Sequence, residues 1–381
     1  MAYFDNAATT YPKPQCVYDF MDKYYRTSGG SFGRGNNSFS NSAKGLVENT
    51  RLKIQALLHC PSKQVIFEPT ATISLNIILQ GLMGPEIKNV YISPFEHNAV
   101  TRTLHHYETL GMIKITQLAV TNDLSYDIQR IQYQFEAVQP DLVVVSHASN
   151  VIGLIAPVDE IFECAKKRKA VTVLDMSQTA GLVDCDIGKE IYDFAVFAGH
   201  KTLLGPTGLS GFVMKPSIEL KPTIFGGTGY DSANQEMPDS IPERYEMGTM
   251  NISGVAGLNA AISWIEEQGI ENLYQSELTA RNRLLALLSQ YDFIKIVGNS
   301  PKQRYVGIVS CCLAGISSDT AGQLFNDRNV SVRTGLHCAP LAHRFLGTYP
   351  AGTIRFSVNH FTSDSDFETL QAALDDIEEN L

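Results

Sequence analysis

The first chemically suggestive feature of the sequence is an acid and a lysine, Asp175 and Lys201. Asp175 ends the apolar run AVTVLD, and Lys201 lies in the glycine-bracketed turn GHKTLLGPTG. A lysine amine can form a Schiff base with an aldehyde cofactor, while a buried carboxylate can keep a pyridine nitrogen protonated so that the ring accepts electrons. The pair therefore suits pyridoxal 5'-phosphate.

Two polar neighbours make this pairing more specific than either residue alone. Gln178, three positions after Asp175, can donate to the phenolic oxygen of such a cofactor, and His200, beside Lys201, can reach its phosphate. An isolated acid is more often a loop cap, and an isolated lysine is more often solvated. The combination favours a cofactor site.

The elements that must position these residues alternate between β-rich runs and amphipathic stretches. The predicted helices lie near 40–59, 72–82, 98–110 and 157–168, and the predicted strands at 64–68, 89–93, 112–118, 141–146, 170–175, 193–198 and 211–215. Such alternation predicts an α/β fold with a mostly parallel, seven-stranded sheet covered on both faces. Asp175 and Lys201 then lie at the carboxyl ends of strands, where open parallel sheets bind ligands.

The second part of the chain has a different character. Residues 226–245 are rich in Gly, Pro and polar side chains and predict a long functional loop near a domain boundary. Helices are then predicted at 253–268, 273–290, 319–328 and from about 364, with strands at 294–298, 305–313, 330–333 and 353–358. We therefore expect a large domain of residues 16–250 and a smaller α+β domain made of residues 1–15 and 251–381.

Composition excludes several classes of protein. The 381 residues are 44% hydrophobic and 18% charged, and 30 Lys and Arg face 40 Asp and Glu without a basic cluster, which argues against binding to nucleic acid or to an anionic membrane. The N-terminus lacks the features of a signal peptide and no segment has the length of a membrane span, so a cytoplasmic protein is expected. The seven cysteines form no Cys-x-x-Cys pair, which argues against a disulfide framework and a zinc ribbon.

The run D-x-x-Q followed by D-F-x-x-F-x-G-H-K-x-x-x-G-P-x-G resembles the cysteine desulfurase and selenocysteine lyase branch of the class V aminotransferase family. The resemblance implies a pyridoxal phosphate enzyme of fold type I. It extends over nearly the whole chain through the segments YFDNAATTYPKP, GRGNNSFS (33–40), FEPTATISLN, EHNAV, SNVIG, RYEMGTMN and RTGLHCAP.

The resemblance also implies a phosphate site at the segment TATIS. The backbone N–H groups around Ala71 and Thr72, together with the Thr72 hydroxyl, would bind the cofactor phosphate at the start of a helix. A plain helix cap is the alternative interpretation of these residues. The family often has a serine two residues before the His-Lys pair, but Ala198 stands here, so one phosphate donor is missing.

Three further cofactor residues follow from the resemblance. His97 corresponds to the histidine that stacks on the pyridine ring, although Asn98 replaces a second histidine common in relatives, so stacking is better supported than proton transfer. Asn150 corresponds to a residue that helps to hold the ring or the substrate. Thr249 matches a threonine that reaches the phosphate of the neighbouring subunit, which implies a homodimer with shared active sites.

The type of reaction depends on two residues near the C-terminus. Arg355 corresponds to the arginine that binds the substrate α-carboxylate, with a structural salt bridge as the alternative. Cys338 corresponds to the mobile cysteine that takes sulfur from L-cysteine as a persulfide, with a buried packing residue as the alternative. Arg333 and His337 are close enough in sequence to favour its thiolate electrostatically.

The interval between Cys338 and the R-F-S segment is short and resembles the compact-loop subgroup of desulfurases. This resemblance implies an accessory sulfur-acceptor protein, weak activity without a reductant or partner, and a place in iron–sulfur cluster assembly. A metal site at His337, Cys338 and His343 is disfavoured because no second cluster of ligand residues has suitable spacing.

Three other functions stay open at this stage. A selenocysteine lyase would use the same residues on L-selenocysteine, and an aminotransferase or β-eliminating lyase would share everything except dependence on Cys338. A non-catalytic sulfur-carrier subunit is disfavoured because Lys201, Asp175 and Arg355 are all retained.

Overall fold

The chain begins with a short strand and two helices. A computed structural model describes residues 1–30, 32, 37–230 and 233–380, so the first half of the GRGNNSFS segment, 33–36, lies outside the described residues. Strand β1 spans Ala2–Tyr3, helix α1 Gln15–Ser28 and helix α2 Ser38–Leu57. Helix α1 was not predicted, although Val17, Met21 and Tyr24 follow the spacing of an apolar helix face; among its residues only Val17 is buried.

A seven-stranded sheet forms the centre of the molecule. Its strands are, in chain order, β2 (Gln64–Glu68), β3 (Asn89–Ile92), β4 (Lys114–Gln117), β5 (Leu142–Ser146), β6 (Val171–Asp175), β7 (Phe194–Ala198) and β8 (Ser210–Met214). They are arranged in the order β2-β8-β7-β6-β5-β3-β4. Strand β8 runs in the opposite direction to the other six strands. The predicted seven-stranded, mostly parallel sheet is confirmed.

Helices connect these strands and cover the sheet. They are α3 (Ala71–Leu82), α4 (Asn98–Thr109), α5 (Ile128–Ala137) and α6 (Val158–Lys167). Every residue of β5, β7 and β8 is buried, because central strands covered on both faces have no solvent side. Helix α5 was not predicted, and only Ile131 and Phe135 of its residues are buried.

A smaller antiparallel sheet with helices follows toward the C-terminus. After helices α7 (Ile252–Gln268) and α8 (Ile270–Leu288), the elements are β9 (Ile294–Val297), β10 (Ile308–Leu313), α9 (Ser318–Asp327), β11 (Val330–Ser331), β12 (Arg333–Gly335), α10 (Pro340–Leu346), β13 (Thr353–Ser357) and α11 (Asp364–Glu379). The order in the smaller sheet is β12-β13-β10-β9, and β11 pairs with β1 in parallel. The N-terminus therefore joins the C-terminal part of the chain.

The predicted division of the chain at residue 250 stays a prediction, but the packing around it is clear. Helix α7 packs against α1 and α2, and ten of its residues, Val255 and Leu258 among them, are buried. The predicted loop at 226–245 lies between β8 and α7, and its described residues contain neither helix nor strand. None of the helices in the described part of the chain combines the length and the apolar character needed to cross a bilayer.

Candidate functional site

Most of the predicted cofactor residues meet around one cavity. Its volume is about 270 Å³, and it lies where β5, β6 and β7 end, at the edge at which open parallel sheets bind ligands. Eight predicted residues line it: Ala71, Thr72, His97, Asn150, Asp175, Gln178, His200 and Lys201. The sheet thus assembles residues that are up to 130 positions apart in the sequence.

Asp175 is held rigidly at the end of β6. Its Oδ1 accepts hydrogen bonds from the Ser177 backbone N–H at 2.9 Å and from the Ser177 hydroxyl at 2.5 Å. These contacts fix the side chain and leave Oδ2 for a further donor, because no other described residue donates to this carboxylate. Such a buried, oriented carboxylate can hold a protonated pyridine nitrogen.

Lys201 presents a free amine to the same cavity. Its Nζ donates to no described residue, and burial lowers its pKa from 10.5 to about 8, while the charge of Asp175 acts in the opposite direction. A large fraction of this amine is therefore neutral near pH 8, the form that condenses with an aldehyde. The preceding Gly199 is required, because a Cβ there would lie 2.4 Å from the Leu209 carbonyl oxygen.

The backbone of this turn is held by the N-terminal segment. The His200 carbonyl oxygen accepts hydrogen bonds from Thr9 Oγ1 at 3.1 Å, from the Thr10 backbone N–H at 3.2 Å and from Lys13 Nζ at 2.6 Å. Thr10 Oγ1 donates to the Lys201 carbonyl oxygen at 3.0 Å. Residues 9–13 therefore fix the position of the lysine, a role that the sequence did not reveal.

The two polar neighbours of the acid–lysine pair also line the cavity. Burial lowers the pKa of His200 to about 4, so the ring is neutral near pH 7 and can offer a hydrogen bond, but not a positive charge, to a phosphate. Gln178 Nε2 donates to the Ala7 carbonyl oxygen at 3.0 Å, which leaves its second N–H for a ligand.

The predicted anion site coincides with the start of α3. Thr70 is the N-cap residue, and its side chain accepts from the Ile73 backbone N–H at 3.2 Å. The cap thus belongs to Thr70, and the exposed Thr72 side chain lies on the cavity wall together with Ala71. The N–H groups of the first turn have no intrahelical partners, and the helix dipole favours an anion there.

His97 is fixed as the N-cap residue of α4. Its Nδ1 accepts from the Ala99 backbone N–H at 3.0 Å, so the neutral ring carries its proton on Nε2. Burial, followed by the charge of Lys201, lowers the pKa of His97 below its ordinary value. The ring is therefore a neutral, oriented aromatic surface at the cavity wall, as stacking on a cofactor requires.

Arg355 lies on β13 beside this cavity. Its Nη1 donates to the Asn150 carbonyl oxygen at 2.8 Å, and its Nη2 donates to Asp5 Oδ1 at 3.0 Å, so the ion pair considered as the structural alternative does exist. Yet the buried Arg355 Nε and the buried Asn150 Oδ1 have no hydrogen-bond partner among the described residues. Buried polar atoms of this kind need water or a ligand as a partner.

Cys338 lies in the short connection between β12 and α10. Its side chain is exposed, and its carbonyl oxygen accepts from the Asn98 backbone N–H, in the first turn of α4, at 2.7 Å. It lines an open groove of about 490 Å³ that shares Thr72 and His97 with the Lys201 cavity. The thiol is therefore accessible from solvent and lies beside the cavity.

The backbone of this connection is strained. His337 and Cys338 have φ angles of 46° and 56°, in the left-handed region that residues other than glycine rarely adopt. Asn150 Nδ2 donates to the His337 carbonyl oxygen at 2.6 Å and helps to hold this conformation. Strain that the surroundings maintain in this way is common at active sites.

The expectation that His337 assists the thiolate through its charge is wrong. Burial, followed by the charge of Arg355, lowers the pKa of His337 to about 2, so the ring is neutral at physiological pH. Its Nε2 is paired with Thr353 Oγ1 at 2.9 Å. Arg333 and Arg355 carry positive charge near Cys338, and both of these side chains contact Asp5.

Thr249 is not brought to the Lys201 cavity within one copy of the chain. It lines a separate cavity of about 620 Å³ together with Phe67, Gly208 and Asn251. Its predicted contact with the phosphate of a neighbouring subunit stays a prediction. Among the described residues, no group of three or more His, Cys, Asp or Glu side chains could hold a metal ion.

The side chains around the cavity fit pyridoxal phosphate. An unpaired amine, an oriented carboxylate, a fixed imidazole and a helix N-terminus surround it, and His200 Nδ1 and Asn150 Oδ1 are buried on its wall without partners in the described structure. The cavity thus offers groups that suit the ring, the phenolic oxygen and the phosphate of this cofactor, but neither the serine hydroxyl that Ala198 lacks nor, within one copy of the chain, Thr249.

Comparison with known proteins agrees with this geometry. A sequence model of the family described as aminotransferase class-V matches residues 2–370. The chain belongs to this family. Class V aminotransferases are pyridoxal phosphate enzymes of fold type I, and the predicted fold class is confirmed.

Several proteins that match nearly the whole chain are named cysteine desulfurases. A probable cysteine desulfurase of Xylella fastidiosa is 28% identical over 98% of this chain and 90% of that protein. A probable cysteine desulfurase of Pyrococcus abyssi is 27% identical over 100% of this chain and 94% of that protein. The chain is also similar to the apo structure of a cysteine desulfurase from Thermococcus onnurineus NA1. The two share 27% identity and a TM-score of 0.91 over 100% of this chain and 95% of that one.

Proposed function

We propose that the protein is a pyridoxal phosphate-dependent cysteine desulfurase, which converts L-cysteine into L-alanine and leaves the sulfur on Cys338 as a persulfide. The observation that carries the proposal is the position of an exposed cysteine, held at the start of α4 beside the cavity that contains Lys201 and Asp175. Desulfurase names among relatives that match nearly the whole chain support it.

Each part of the cofactor has a matching group in this site. Asp175 would receive the pyridine N–H, the second N–H of Gln178 the phenolic oxygen, and the first turn of α3 the phosphate. His97 would stack on the ring. When bound, the cofactor accepts the electrons that are released as the Cα–H bond of the substrate breaks.

The residues of the chain bind the substrate and move its proton. Arg355 would hold the substrate carboxylate with its unpaired Nε–H and a neighbouring N–H, which fixes the direction of the Cα–H bond. Lys201 would then remove the Cα proton, because its amine has a pKa of about 8 and is partly neutral at physiological pH.

Sulfur transfer would be carried out by Cys338. Its Sγ attacks the substrate sulfur, the Cβ–S bond breaks, and Cβ takes up a proton, so the products are L-alanine and Cys338 carrying one additional sulfur atom. No external oxidant or reductant is needed for this step. A thiol would be needed to remove the sulfur afterwards, and the open groove at Cys338 gives such an acceptor access.

Three further expectations belong to this proposal. The enzyme would act as a homodimer in which Thr249 completes the phosphate site of the partner, it would pass sulfur to an acceptor protein, as in iron–sulfur cluster assembly, and it would reside in the cytoplasm. The short, pinned connection around Cys338 supports slow sulfur release in the absence of an acceptor thiol. Rapid release of sulfide from the isolated protein without a thiol would contradict this expectation.

Two variants test the proposal. Lys201→Ala should lose the visible absorbance of the lysine-bound cofactor, and Cys338→Ala should keep that band but no longer convert L-cysteine into L-alanine. Cys16→Ala is the matched control, because Cys16 is the other exposed cysteine of the chain. Retention of the band without Lys201 would identify another lysine, and full cysteine turnover without Cys338 would rule out the mechanism.

The choice of substrate requires product analysis with L-cysteine and L-selenocysteine in parallel. Activity that survives in Cys338→Ala only toward L-selenocysteine would indicate a lyase, because a selenolate leaves more readily and depends less on the nucleophile. Formation of glutamate or pyruvate instead of alanine would indicate an aminotransferase or a β-eliminating lyase.

A further inference from the structure

Asp5 is a buried carboxylate that joins two arginines near the candidate substrate site. Arg355 Nη2 donates to its Oδ1 at 3.0 Å. Arg333 donates through Nε to Oδ1 at 3.2 Å and Oδ2 at 3.0 Å, and through Nη2 to Oδ2 at 2.9 Å. One acid thus bridges β12, which leads to Cys338, and β13, which carries Arg355.

These contacts determine what Arg355 can offer to a ligand. A guanidinium has five N–H donors in one plane, and two of them are taken by Asp5 and by the Asn150 carbonyl oxygen. The two acceptors bind different terminal nitrogens of Arg355, Nη1 and Nη2, so together they fix the plane of the guanidinium group. Three N–H groups remain, and among them the buried Nε–H has no partner in the described structure.

We propose that Asp5 is the positioning residue of the substrate-carboxylate site: by bridging Arg333 and Arg355, it orients the Arg355 guanidinium and sets the charge of the site to match one carboxylate. The inference rests on the proposed function, because it takes the substrate to be an α-amino acid that Arg355 binds.

The charges support this assignment. Arg333 and Arg355 together contribute two positive charges, and Asp5 offsets one of them, which leaves a single positive charge for a substrate with one carboxylate. Without Asp5, the two guanidinium groups would face one another in a partly buried site, and Arg355, which is only 3% exposed, would lose the one carboxylate that it contacts among the described residues. Its remaining acceptor, the Asn150 carbonyl oxygen, would not fix the plane of the group.

A purely structural role is the competing explanation, since Asp5 also ties the N-terminus to β13. Other contacts already make this connection: Asn6 Nδ2 donates to the Ser357 carbonyl oxygen at 2.8 Å, and the Ala7 backbone N–H donates to Ser357 Oγ at 2.8 Å. The fold therefore has anchors that do not depend on Asp5, and the two roles can be separated by ligand binding.

The test compares ligands with and without a carboxylate on cofactor-loaded protein. Asp5→Asn keeps the size of the side chain and removes its charge. We expect the Kd of L-alanine, read from the change in visible absorbance, and the KM for L-cysteine to rise about tenfold or more, with a smaller change in kcat, because the loss of the fixed guanidinium plane outweighs the added positive charge. The affinity for cysteamine, which has the amine and the thiol but no carboxylate, should stay the same.

Two further variants complete the experiment. Asp364→Asn removes an exposed ion pair with Arg283 and serves as the matched control, with no change expected in either affinity. Asp5→Glu keeps the charge but shifts it by one methylene, and should recover a part of the affinity for L-alanine. If Asp5→Asn does not fold, Asp5→Glu is compared with the wild type, and a weaker affinity for L-alanine at unchanged affinity for cysteamine is then the expected result.

Unchanged or tighter L-alanine binding in the Asp5 variants, or an equal loss for L-alanine and cysteamine, would overturn the proposal. A wild-type protein that binds L-alanine but makes no alanine from cysteine would instead refute the proposed function. The two failures are thus distinguishable.

Discussion

Glu96 tests whether burial keeps a carboxyl group next to the candidate site protonated at neutral pH. It is fully buried directly before His97, and its carboxyl group accepts from the Ser146 backbone N–H at 2.6 Å and the Ser146 hydroxyl at 2.8 Å. Burial raises its pKa from 4.5 to about 8, and the hydrogen bonds from Ser146 only partly oppose this. At neutral pH most Glu96 side chains are therefore protonated in the folded protein.

The sign and the size of the effect follow from this pKa. Because the folded state binds the proton more tightly than the unfolded state, the contribution to stability is complete below pH 4.5 and is lost as the pH rises toward 8. The whole shift corresponds to about 5 kcal/mol at about 1.4 kcal/mol for each unit of pKa. About 3 kcal/mol of this loss falls between pH 6 and pH 9.

Substitution of Glu96 by Gln should remove this dependence on pH. The amide has the shape of the protonated acid, can accept from the Ser146 N–H and can donate to the Ser146 hydroxyl. In urea unfolding of the cofactor-loaded proteins, Glu96→Gln should gain about 3 kcal/mol over the wild type between pH 6 and pH 9. Glu266→Gln, at an exposed position, controls for the loss of a charge. Stabilities of Glu96→Gln and wild type that fall in parallel across this range would refute the reasoning.

Three further predictions concern the surroundings of the site. Gly199→Ala should weaken cofactor binding by displacing the Lys201 turn, because the new Cβ would lie 2.4 Å from the Leu209 carbonyl oxygen; absorbance titration of the apoprotein with pyridoxal phosphate measures this. Arg51→Met should reduce the free energy of unfolding by about 3–5 kcal/mol in denaturant titration, because it leaves the buried Glu246 without its partner at 2.7 Å. Thr70→Ala should cost about 1 kcal/mol in the same assay through loss of the α3 N-cap, and a change below a few tenths would contradict this role.

The large sheet and its cavity could be predicted because their signals are local. Most strands of the large sheet are short apolar runs. Asp175 and Gln178 lie within three residues of each other, as do His200 and Lys201, so one strand end positions both members of each pair. Helix α1 was missed although the apolar side chains Val17, Met21 and Tyr24 have helical spacing. The seven-residue helix α10 is too short to show a period of 3.6 residues.

Contacts across the length of the chain could not be predicted in the same way. The segment YFDNAATTYPKP was recognised only as a motif, whereas the structure gives Thr10 a contact with the Lys201 carbonyl oxygen and Asp5 a contact with Arg355, 350 positions away. No local pattern encodes such pairs. The N-terminal segment pairs in parallel with β11 through β1, and a bridge between Asp5 and Ser357 joins it to β13 of the small sheet.

Burial also reverses the electrostatic role that neighbours in sequence suggest. His337 precedes Cys338 directly, and a histidine beside a thiol would ordinarily be a source of positive charge, yet its pKa of about 2 keeps it neutral. His200 is likewise neutral, with a pKa of about 4. The fixed positive charge near the thiol therefore comes from arginines, which stay protonated when histidines do not. Asp5 contacts both of them, so in the proposed substrate site the N-terminal segment would control the charge that is presented to a substrate carboxylate.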